Sequence, residues 1–352
     1  MVLLLLQILR CCYGMVVTLR IFLYKKKIKS SVSYKNPKLI SVGNLSLGGT
    51  GKTPLVIYLT KLLSNEKVVA VLSRGYKRTS TGFKVISVLE SALTAGDEPY
   101  LLYKKFKYNP NVIITVCENR KEGITKIMEH RPDVEIILLD DAFQQLSITP
   151  ILSILLTTFN EPFFKEHLLP LGRLREPRAG IARADIILVT KSPPCPTEAQ
   201  ITEIKEGIQK YQPNVREVPL FFTHIIYHDP IAMWHTKPCK LPCSIVLVTG
   251  IAYPLPLREY LETKGHSITH LAFPDHHGFN YNDIIKITRA FYAGKDPYKA
   301  IVTTEKDSVR FIDPCWEKLL SPFPMFYIPI EVGFTQEAQA TFDAKIMDIL
   351  HF

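Results

Sequence analysis

The chain has 352 residues, of which 47% are hydrophobic, a length that suits two folded domains and a composition that argues against wholesale disorder. Lysine and arginine number 43 against 33 acidic residues, and the net charge of +10 attracts polyanions such as nucleic acid, anionic lipid or a phosphorylated substrate without choosing among them. The seven cysteines form no paired framework, which indicates a reducing compartment.

Residues 1–24 are strongly apolar, and lysines follow at once. A signal peptide would need a small-residue cleavage site, and none is evident. A spanning helix would carry Arg10 and Arg20 at or near the hydrocarbon, where a central arginine costs about 2.5–3.5 kcal/mol. At about 100° per residue the polar and small residues, except Arg20, fall in one stripe, which predicts an amphipathic helix lying on a membrane surface. A docked core helix is the alternative. The stripe contains Gln7, Arg10, Gly14, Thr18 and Lys25.

A phosphate-binding loop is predicted after the first buried strand, residues 39–42. The glycine-rich turn leads into Lys52 and Thr53, which open the apolar helix 55–63. Backbone N–H groups of such a loop surround phosphate oxygens, with the lysine on the β/γ-phosphates and the threonine on Mg²⁺. Ser46 stands where the usual pattern has its first glycine, and an ordinary strand-to-helix turn is the alternative. The predicted nucleotide contacts are Gly48, Gly49, Thr50, Gly51, Lys52 and Thr53.

Basic residues follow two further predicted strands, at the ends that line the ligand crevice of an α/β sheet. The strand 67–72 runs into the basic loop 73–78, which is either an anion contact or a solvated turn, and Arg120 follows the strand 112–116. Asp97 precedes the predicted helix 100–106, and by itself this pattern indicates a helix cap.

An acidic strand end and a constrained basic loop complete the first half. The buried strand 134–139 runs into Asp140 and Asp141, a Walker B pattern that predicts Mg²⁺ binding. The loop 168–178 carries three arginines and is constrained by two prolines and a glycine, and guanidinium groups held in this way suit phosphate oxygens. A solvated charge run is the alternative for this loop.

The second half alternates strands and helices again. We predict a hairpin from residues 218–226 and 231–235, and place the domain boundary there. His276 and His277 follow the predicted strand 268–272, either as surface residues or with Asp275 orienting a base.

Taken together, these motifs make the chain resemble the tetraacyldisaccharide 4′-kinases of lipid A synthesis over nearly its whole length. The matching segments are residues 43–45, 48–54, 73–76, 96–99, 139–144, 170–177, 275–277 and 304–307. The serine at position 46 also fits this family.

The resemblance implies an α/β fold with two α/β/α (Rossmann-like, P-loop NTPase) domains, a two-stranded β linker and an N-terminal membrane-associated helix. We accordingly expect the helix in residues 1–30 and the kinase domain in 31–217. The linker is expected in 218–238 and the second domain in 239–352.

The implied reaction is transfer of the ATP γ-phosphate, with Mg²⁺, to the 4′-hydroxyl of a tetraacylated glucosamine disaccharide 1-phosphate, giving a lipid IVA-type product. The expected partners are this lipid precursor and the membrane surface, at the cytoplasmic face of the bacterial inner membrane, with no nucleic acid and no obligate protein partner. A membrane-associated P-loop ATPase or GTPase switch without a lipid acceptor is the alternative. A nucleic-acid-binding module fits the charge alone.

The resemblance also implies residue roles. Asp97 matches the catalytic base, His276 the histidine that pairs with it across the domain cleft, and Lys52 a catalytic phosphate contact. Gln145 stands where family members often have histidine. The other matching positions are Arg120 and Arg175 for the nucleotide, Thr53, Asp140, Asp141 and Glu176 for the metal ion, and Glu98.

Overall fold

The structure is a computed structural model that describes residues 2–212, 218–234, 240–294 and 296–351. The α-helices are α1 (Val2–Lys25), α2 (Lys52–Leu63), α3 (Ala92–Ala95), α4 (Asp97–Phe106), α5 (Arg120–His130), α6 (Glu198–Gln209), α7 (Leu255–Thr263), α8 (Tyr281–Ala293), α9 (Glu305–Phe311), α10 (Pro314–Leu320) and α11 (Gln336–His351). The strands are β1 (Val32–Ser33), β2 (Lys38–Asn44), β3 (Val69–Ser73), β4 (Lys84–Val85), β5 (Val112–Val116), β6 (Ile136–Asp140), β7 (Ile148–Thr149), β8 (Leu152–Thr158), β9 (Ile186–Thr190), β10 (Leu220–Phe222), β11 (His224–Tyr227), β12 (Ile231–Ala232), β13 (Ser244–Thr249), β14 (Ser267–Ala272), β15 (Lys299–Thr304), β16 (Met325–Ile328) and β17 (Ile330–Gly333).

The chain forms two compact units, neither of them continuous in sequence. Unit 1 contains Met1–Arg74, Asn109–Ile225 and Val332–Phe352, and unit 2 contains Gly75–Tyr108 and Ile226–Glu331. This division assigns two segments differently from the predicted domain ranges, because α4 belongs to unit 2 and α11 to unit 1. The predicted limits at residues 217 and 238–239 lie outside the described residues.

Unit 1 is built on a parallel sheet with the strand order β10-β9-β8-β2-β6-β3-β5. Its central strands are continuous apolar runs, as expected for strands covered on both faces by helices. The first strand of the phosphate loop, β2, lies between β6 and β8, with Val42 in register with Asp140 and with Ile154. This register brings the carboxyl ends of β2 and β6 side by side.

The C-terminal helix α11 packs on unit 1 through aromatic side chains. Phe342 is fully buried, and its ring lies against the rings of Phe221 and Phe334, with centroids 5.3 and 5.1 Å away. Tyr58 of α2 donates a 2.6 Å hydrogen bond to Asp343. These contacts explain why the last segment of the chain belongs to the unit in which the chain begins.

Unit 2 contains a second sheet, in the order β12-β16-β15-β13-β14. Strands β13 to β16 are parallel, and the short edge strand β12 runs antiparallel to β16. One apolar cluster lies on each face of this sheet, around Val248 and Ile301 on one side and around Leu247 and Val302 on the other. The predicted α/β class, with two sheets covered by helices, is confirmed.

The strands that carry the chain between the units are β11 and β17, which form a two-stranded sheet. The two-stranded linker is therefore present, but the hairpin predicted from residues 218–226 and 231–235 is wrong. Strand β10 extends the unit 1 sheet beside β9, and β12 pairs with β16. Strand β11 ends at Tyr227, and the pairing partners of β11 and β12 come from distant parts of the chain.

Helix α1 is long and apolar enough, over Leu3–Lys25, to cross a membrane by length and composition. One side of α1 contacts unit 1: Tyr13 donates a 2.7 Å hydrogen bond to the carbonyl oxygen of Arg175, and Arg20 donates one of 3.1 Å to that of Gln144. Arg20, the exception to the predicted polar stripe, thus has a partner in unit 1. The opposite side is apolar and exposed, and it includes Leu4, Leu5, Ile8, Met15, Val16 and Leu19.

Candidate active site

The phosphate loop connects β2 to α2 as predicted. Gly51 is the N-cap of α2 with φ of 83°, and Gly48 has φ of 104°, two backbone conformations that favour glycine. The start of α2 directs the backbone N–H groups of its first turn toward the loop, an arrangement that suits a phosphate.

Ser46 has a structural explanation that its position in the motif does not reveal. Its segment is extended and forms an antiparallel bridge with Leu174, supported by backbone hydrogen bonds from Leu47 to Arg173 and from Arg175 to Leu45. The φ angle of Ser46 is not positive, so the backbone there tolerates a side chain. The pairing also fixes the arginine-rich loop beside the phosphate loop.

A cluster of charged side chains lies at the carboxyl ends of β2 and β6. Arg175 donates two hydrogen bonds to the Asp141 carboxylate, of 3.0 and 2.8 Å, and Lys52 Nζ lies 3.6 Å from it. Arg175 also contacts the side chain of Asn44, to which Lys52 donates at 3.4 Å. The structure thus brings together Lys52, Asp141 and Arg175, three of the predicted residues.

The electrostatics of this cluster keep Asp141 ionised. Burial by itself raises the pKa of this carboxyl, but the Lys52 charge and the Arg175 hydrogen bonds outweigh it and lower the pKa to about 2. Asp141 has φ of 50°, in the left-handed region that asparagine, aspartate and histidine tolerate best.

Asp140 and Arg120 lie beneath this cluster. Asp140 is buried and accepts a 3.0 Å hydrogen bond from Ser73. Arg120 is only 2% exposed and donates to the carbonyl oxygens of Cys117 and Asp140, at 2.7 and 2.9 Å. Burial lowers its pKa to about 10, and its Nε has no hydrogen-bond partner among the described residues. A buried guanidinium with an unused donor suits an anionic ligand.

Within the described residues, no group of three or more His, Cys, Asp or Glu side chains is arranged to hold a metal ion. Mg²⁺ in phosphate-transfer sites commonly takes one or two protein ligands and completes its shell with water and phosphate oxygens, so the hydroxyl of Thr53 with Asp140 or Asp141 fits this pattern. Glu176 fits it less well, because Arg183 donates to both of its oxygens, at 2.7 and 2.8 Å. Those bonds would have to break before Glu176 could bind a metal ion.

A cavity of about 300 Å³ opens beside this cluster, between α1 and the strand ends of unit 1. Its lining includes four arginines, two carboxylates and apolar side chains from α1. Gln145 also lines the cavity, and its side chain donates a 2.7 Å hydrogen bond to the Ser147 hydroxyl. The polar and charged lining residues are Tyr13, Arg20, Arg74, Arg120, Asp141, Gln144, Gln145, Arg175 and Glu176.

In unit 2, Asp97 is the first residue of α4, and Gly96 is the N-cap without a side-chain hydrogen bond. The prediction that Asp97 caps this helix is therefore wrong. Gly96 has φ of 92°, and a Cβ built on it would lie 3.2 Å from Cα of Gly75. This close backbone contact explains why both motifs contain glycine, and it fixes where Asp97 begins the helix.

The Asp97 carboxylate binds two partners through the same oxygen. His276 Nδ1 lies 2.9 Å from Oδ2, and Arg310 donates to Oδ2 at 2.6 Å. Burial by itself raises the pKa of Asp97, but these hydrogen bonds and charges lower it to about 2. The two predicted residues are thus in contact, and both belong to unit 2 rather than to two domains across a cleft.

Several residues that hold these groups are not evident from the sequence. Arg310 was not singled out, although it lies four residues after Lys306 in the motif 304–307, a spacing that places both on one helix face. Asn44 and Arg183 were missed because their roles arise from contacts between distant loops. No local pattern in the sequence indicates such contacts.

Comparison with known proteins identifies the family. A family model described as tetraacyldisaccharide-1-P 4'-kinase matches residues 2–349. The tetraacyldisaccharide 4'-kinase of Flavobacterium psychrophilum is 41% identical over 340 residues, covering 96% of this chain and 93% of that protein. The enzyme of the same name from Bacteroides thetaiotaomicron is 40% identical, covering 95% and 90%. A crystal structure of LpxK from Aquifex aeolicus in complex with ATP is similar with a TM-score of 0.72 at 26% identity, covering 99% of this chain and 100% of that one. The chain therefore belongs to the tetraacyldisaccharide-1-P 4'-kinase family.

Proposed function

We propose that this protein transfers the γ-phosphate of ATP to the 4′-hydroxyl of a tetraacylated glucosamine disaccharide 1-phosphate, forming a lipid IVA-type product. The observation that carries this proposal is Asp97, a largely buried carboxylate bonded to His276. A phosphate loop alone suits hydrolases equally well, whereas transfer to a sugar hydroxyl needs a group that accepts the hydroxyl proton.

The donor side of the reaction is assigned to unit 1. Lys52 and the loop residues Gly48, Gly49, Thr50, Gly51 and Thr53 would hold the ATP phosphates, as the ATP complex of the Aquifex aeolicus protein supports. Arg120 and Arg175 would neutralise phosphate charge. Arg175 and Lys52 are paired with Asp141 in this structure, so phosphate oxygens would compete with that carboxylate for both cations.

A magnesium ion would bind Thr53 together with Asp140 or Asp141. When bound, Mg²⁺ would supply positive charge that neutralises the phosphate oxygens. Asp141 is suited to this exchange because it is ionised and 38% of its side chain is exposed. Glu176, held by Arg183 and Gln144, would instead fix the arginine loop.

Asp97 is proposed as the base. Both of its hydrogen bonds end on Oδ2, so neither occupies Oδ1, which would accept the proton of the 4′-hydroxyl. A carboxylate of low pKa is a weak base, so proton transfer would come late and positioning would supply most of the acceleration.

The protein is proposed to act from the cytoplasmic face of the bacterial inner membrane as a monotopic protein. The hydrogen bonds of Tyr13 and Arg20 to unit 1 are seven residues apart on α1, so the helix lies along the unit for about two turns. Its opposite, apolar side would face the acyl region of the bilayer. This arrangement favours a helix in the membrane surface over a spanning one, and the acylated substrate would meet the cavity beside α1.

The alternative, an ATPase or GTPase switch, differs in its dependence on an acceptor. The test measures ADP formation by the purified protein with and without the lipid disaccharide 1-phosphate. The proposal predicts that ADP forms only when the lipid is present and in equal amount to phosphorylated lipid. Fast ADP formation without lipid, unchanged on adding it, would favour the switch.

A further inference from the structure

Helix α9 presents two cations to the Asp97–His276 pair. Lys306 and Arg310 are four residues apart and therefore lie on the same side of the helix. Lys306 Nζ is 3.2 Å from His276 Nε2, and Arg310 donates to Asp97 Oδ2 at 2.6 Å. All four residues belong to unit 2.

The contacts of the His276 ring define which of its nitrogens carries the proton. A lysine ammonium has donors only, so Nε2 must accept the hydrogen bond from Lys306. The carboxylate of Asp97 has acceptors only, so Nδ1 must donate to it. Both ends of the ring therefore require the same state, a neutral imidazole with its proton on Nδ1.

Lys306 is held in its charged state by neighbouring carboxylates. Burial lowers the pKa of this ammonium, but Glu98 at 2.9 Å and Asp275 at 3.7 Å more than compensate and raise it. A charged Lys306 donates to Nε2 throughout the physiological range.

The Arg310 guanidinium also binds the carboxylate of Asp307. The Asp307 carboxylate is fully buried and accepts 2.8 Å hydrogen bonds from the Gly250 backbone and the Thr304 hydroxyl. Its other oxygen accepts from Arg310 at 2.9 Å, and Arg310 is itself 7% exposed. The guanidinium is thus anchored on one carboxylate while it bonds the other.

We propose that Lys306 and Arg310 are positioning residues that hold His276 as the neutral Nδ1–H tautomer and Asp97 as a carboxylate bonded through Oδ2. The proposal rests on the proposed function, since it concerns the same base. It gives the motif 304–307 a role through Lys306, which contacts His276. The charged and titratable groups of the described residues that face Asp97 and His276 in unit 2 are Tyr76, Lys77, Glu98, Asp275, Lys306, Asp307 and Arg310.

The tautomer is tested without any catalytic assay. The full chain is labelled with ¹⁵N-histidine in detergent, and the His276 ring signals are assigned by their loss in His276→Gln. At neutral pH the wild-type ring is expected to show one protonated and one unprotonated nitrogen, with the proton on Nδ1. In Lys306→Met the carboxylates of Glu98 and Asp275 remain without the ammonium, so Nε2 is expected to gain a proton and the two signals to converge.

A matched control is Lys318→Met on α10, an exposed lysine of the same unit, which should keep the wild-type His276 spectrum. A wild-type ring protonated on Nε2 alone, or a Lys306→Met spectrum identical to wild type, would overturn the assignment. Because the spectrum needs no substrate, it distinguishes failure of this inference from failure of the proposed function.

The role of Arg310 is tested by the pH dependence of kcat/KM. The pKa of Asp97 lies near 2, and removing Arg310 takes away one of the groups that lower it while burial, which raises it, remains. The acidic limb of the profile should therefore move up by about one to two pH units in Arg310→Met, the effect of one charged hydrogen bond. Arg310→Lys keeps the charge and should stay closer to wild type.

If Arg310→Met lowers kcat but does not move the acidic limb, Arg310 has only a structural role. That result would overturn the proposal that Arg310 holds Asp97 as a carboxylate. If Arg310→Met does not fold, which thermal unfolding would show, Arg310→Lys decides instead. The lysine side chain is shorter, so its ammonium should lie farther from Asp97 and bind it more weakly. The acidic limb should then move in the same direction by a smaller amount, and no movement would contradict the proposal.

Discussion

Asp97 receives its properties from four neighbouring residues. Gly96 and Gly75 allow α4 to begin at this point, and His276 and Arg310 keep the carboxylate charged in a largely buried position. The sequence could predict that Asp97 and His276 matter, because both lie in motifs of the family. It could not predict Arg310 or Asn44, since their importance depends on contacts with distant residues.

Replacing Asp97 with asparagine should lower kcat by about 10²–10⁴-fold, because an amide cannot accept the hydroxyl proton. ATP affinity should stay close to wild type, since the residues proposed to hold the ATP phosphates belong to the phosphate loop and not to α4. Steady-state kinetics and nucleotide titration measure the two quantities. Asp133→Asn, at an exposed carboxylate, is the control. Near-normal turnover in Asp97→Asn would exclude Asp97 as the base.

Replacing Gly96 with alanine should reduce both stability and activity. The new Cβ would meet the Gly75 backbone at 3.2 Å in a backbone conformation of positive φ, so about 1–3 kcal/mol of unfolding free energy should be lost and Asp97 displaced. Gly265→Ala is the matched control, because φ is 89° there but nothing lies within 4 Å of the Cβ. Urea unfolding should show the larger loss in Gly96→Ala, together with a loss of turnover confined to that variant. Equal losses in both would mean that the contact with Gly75 contributes nothing.

At the scale of secondary-structure elements, local apolar patterns predicted several strands and helices, including β2, β5 and α2. The pairing of β11 with β17 could not be predicted, since more than 100 residues separate them in a chain of 352. The contacts of helix α1 could not be predicted from the sequence either. Its amphipathic pattern was evident, but which residues contact unit 1 became clear only from the bonds of Tyr13 and Arg20.

The apolar outer side of α1 should decide membrane attachment. Changing Leu5, Val16 and Leu19 together to glutamine removes exposed apolar surface without touching the hydrogen bonds to unit 1, so a large part of the protein should move from the membrane pellet to the supernatant. Tyr13→Phe, which loses only the bond to Arg175, should remain in the pellet. Ultracentrifugation of cell extracts measures both. A triple variant that sediments like wild type would show that another surface is the anchor.

At the scale of the whole molecule, the chain is a lipid A 4'-kinase by family, and its candidate site residues belong to two units. Unit 1 holds the phosphate loop and the acidic strand end, and unit 2 holds Asp97, His276 and the cations of α9. The two-domain fold was predictable from the order of the motifs. That residues 75–108 belong to unit 2 was not, because this follows from packing between α4 and α9, for example the 2.6 Å ion pair of Lys105 with Glu305.

The proposed reaction places the γ-phosphate on the 4′-oxygen of the lipid disaccharide. The most direct measurement incubates the full chain with γ-labelled ATP, Mg²⁺ and tetraacyldisaccharide 1-phosphate in mixed micelles, then locates the new phosphate by mass spectrometry and NMR of the extracted lipid. We expect one added phosphate at the 4′-oxygen with the wild-type protein, and none with Lys52→Ala or Asp97→Asn. Label recovered only as inorganic phosphate, or on another hydroxyl of the sugar, would contradict it.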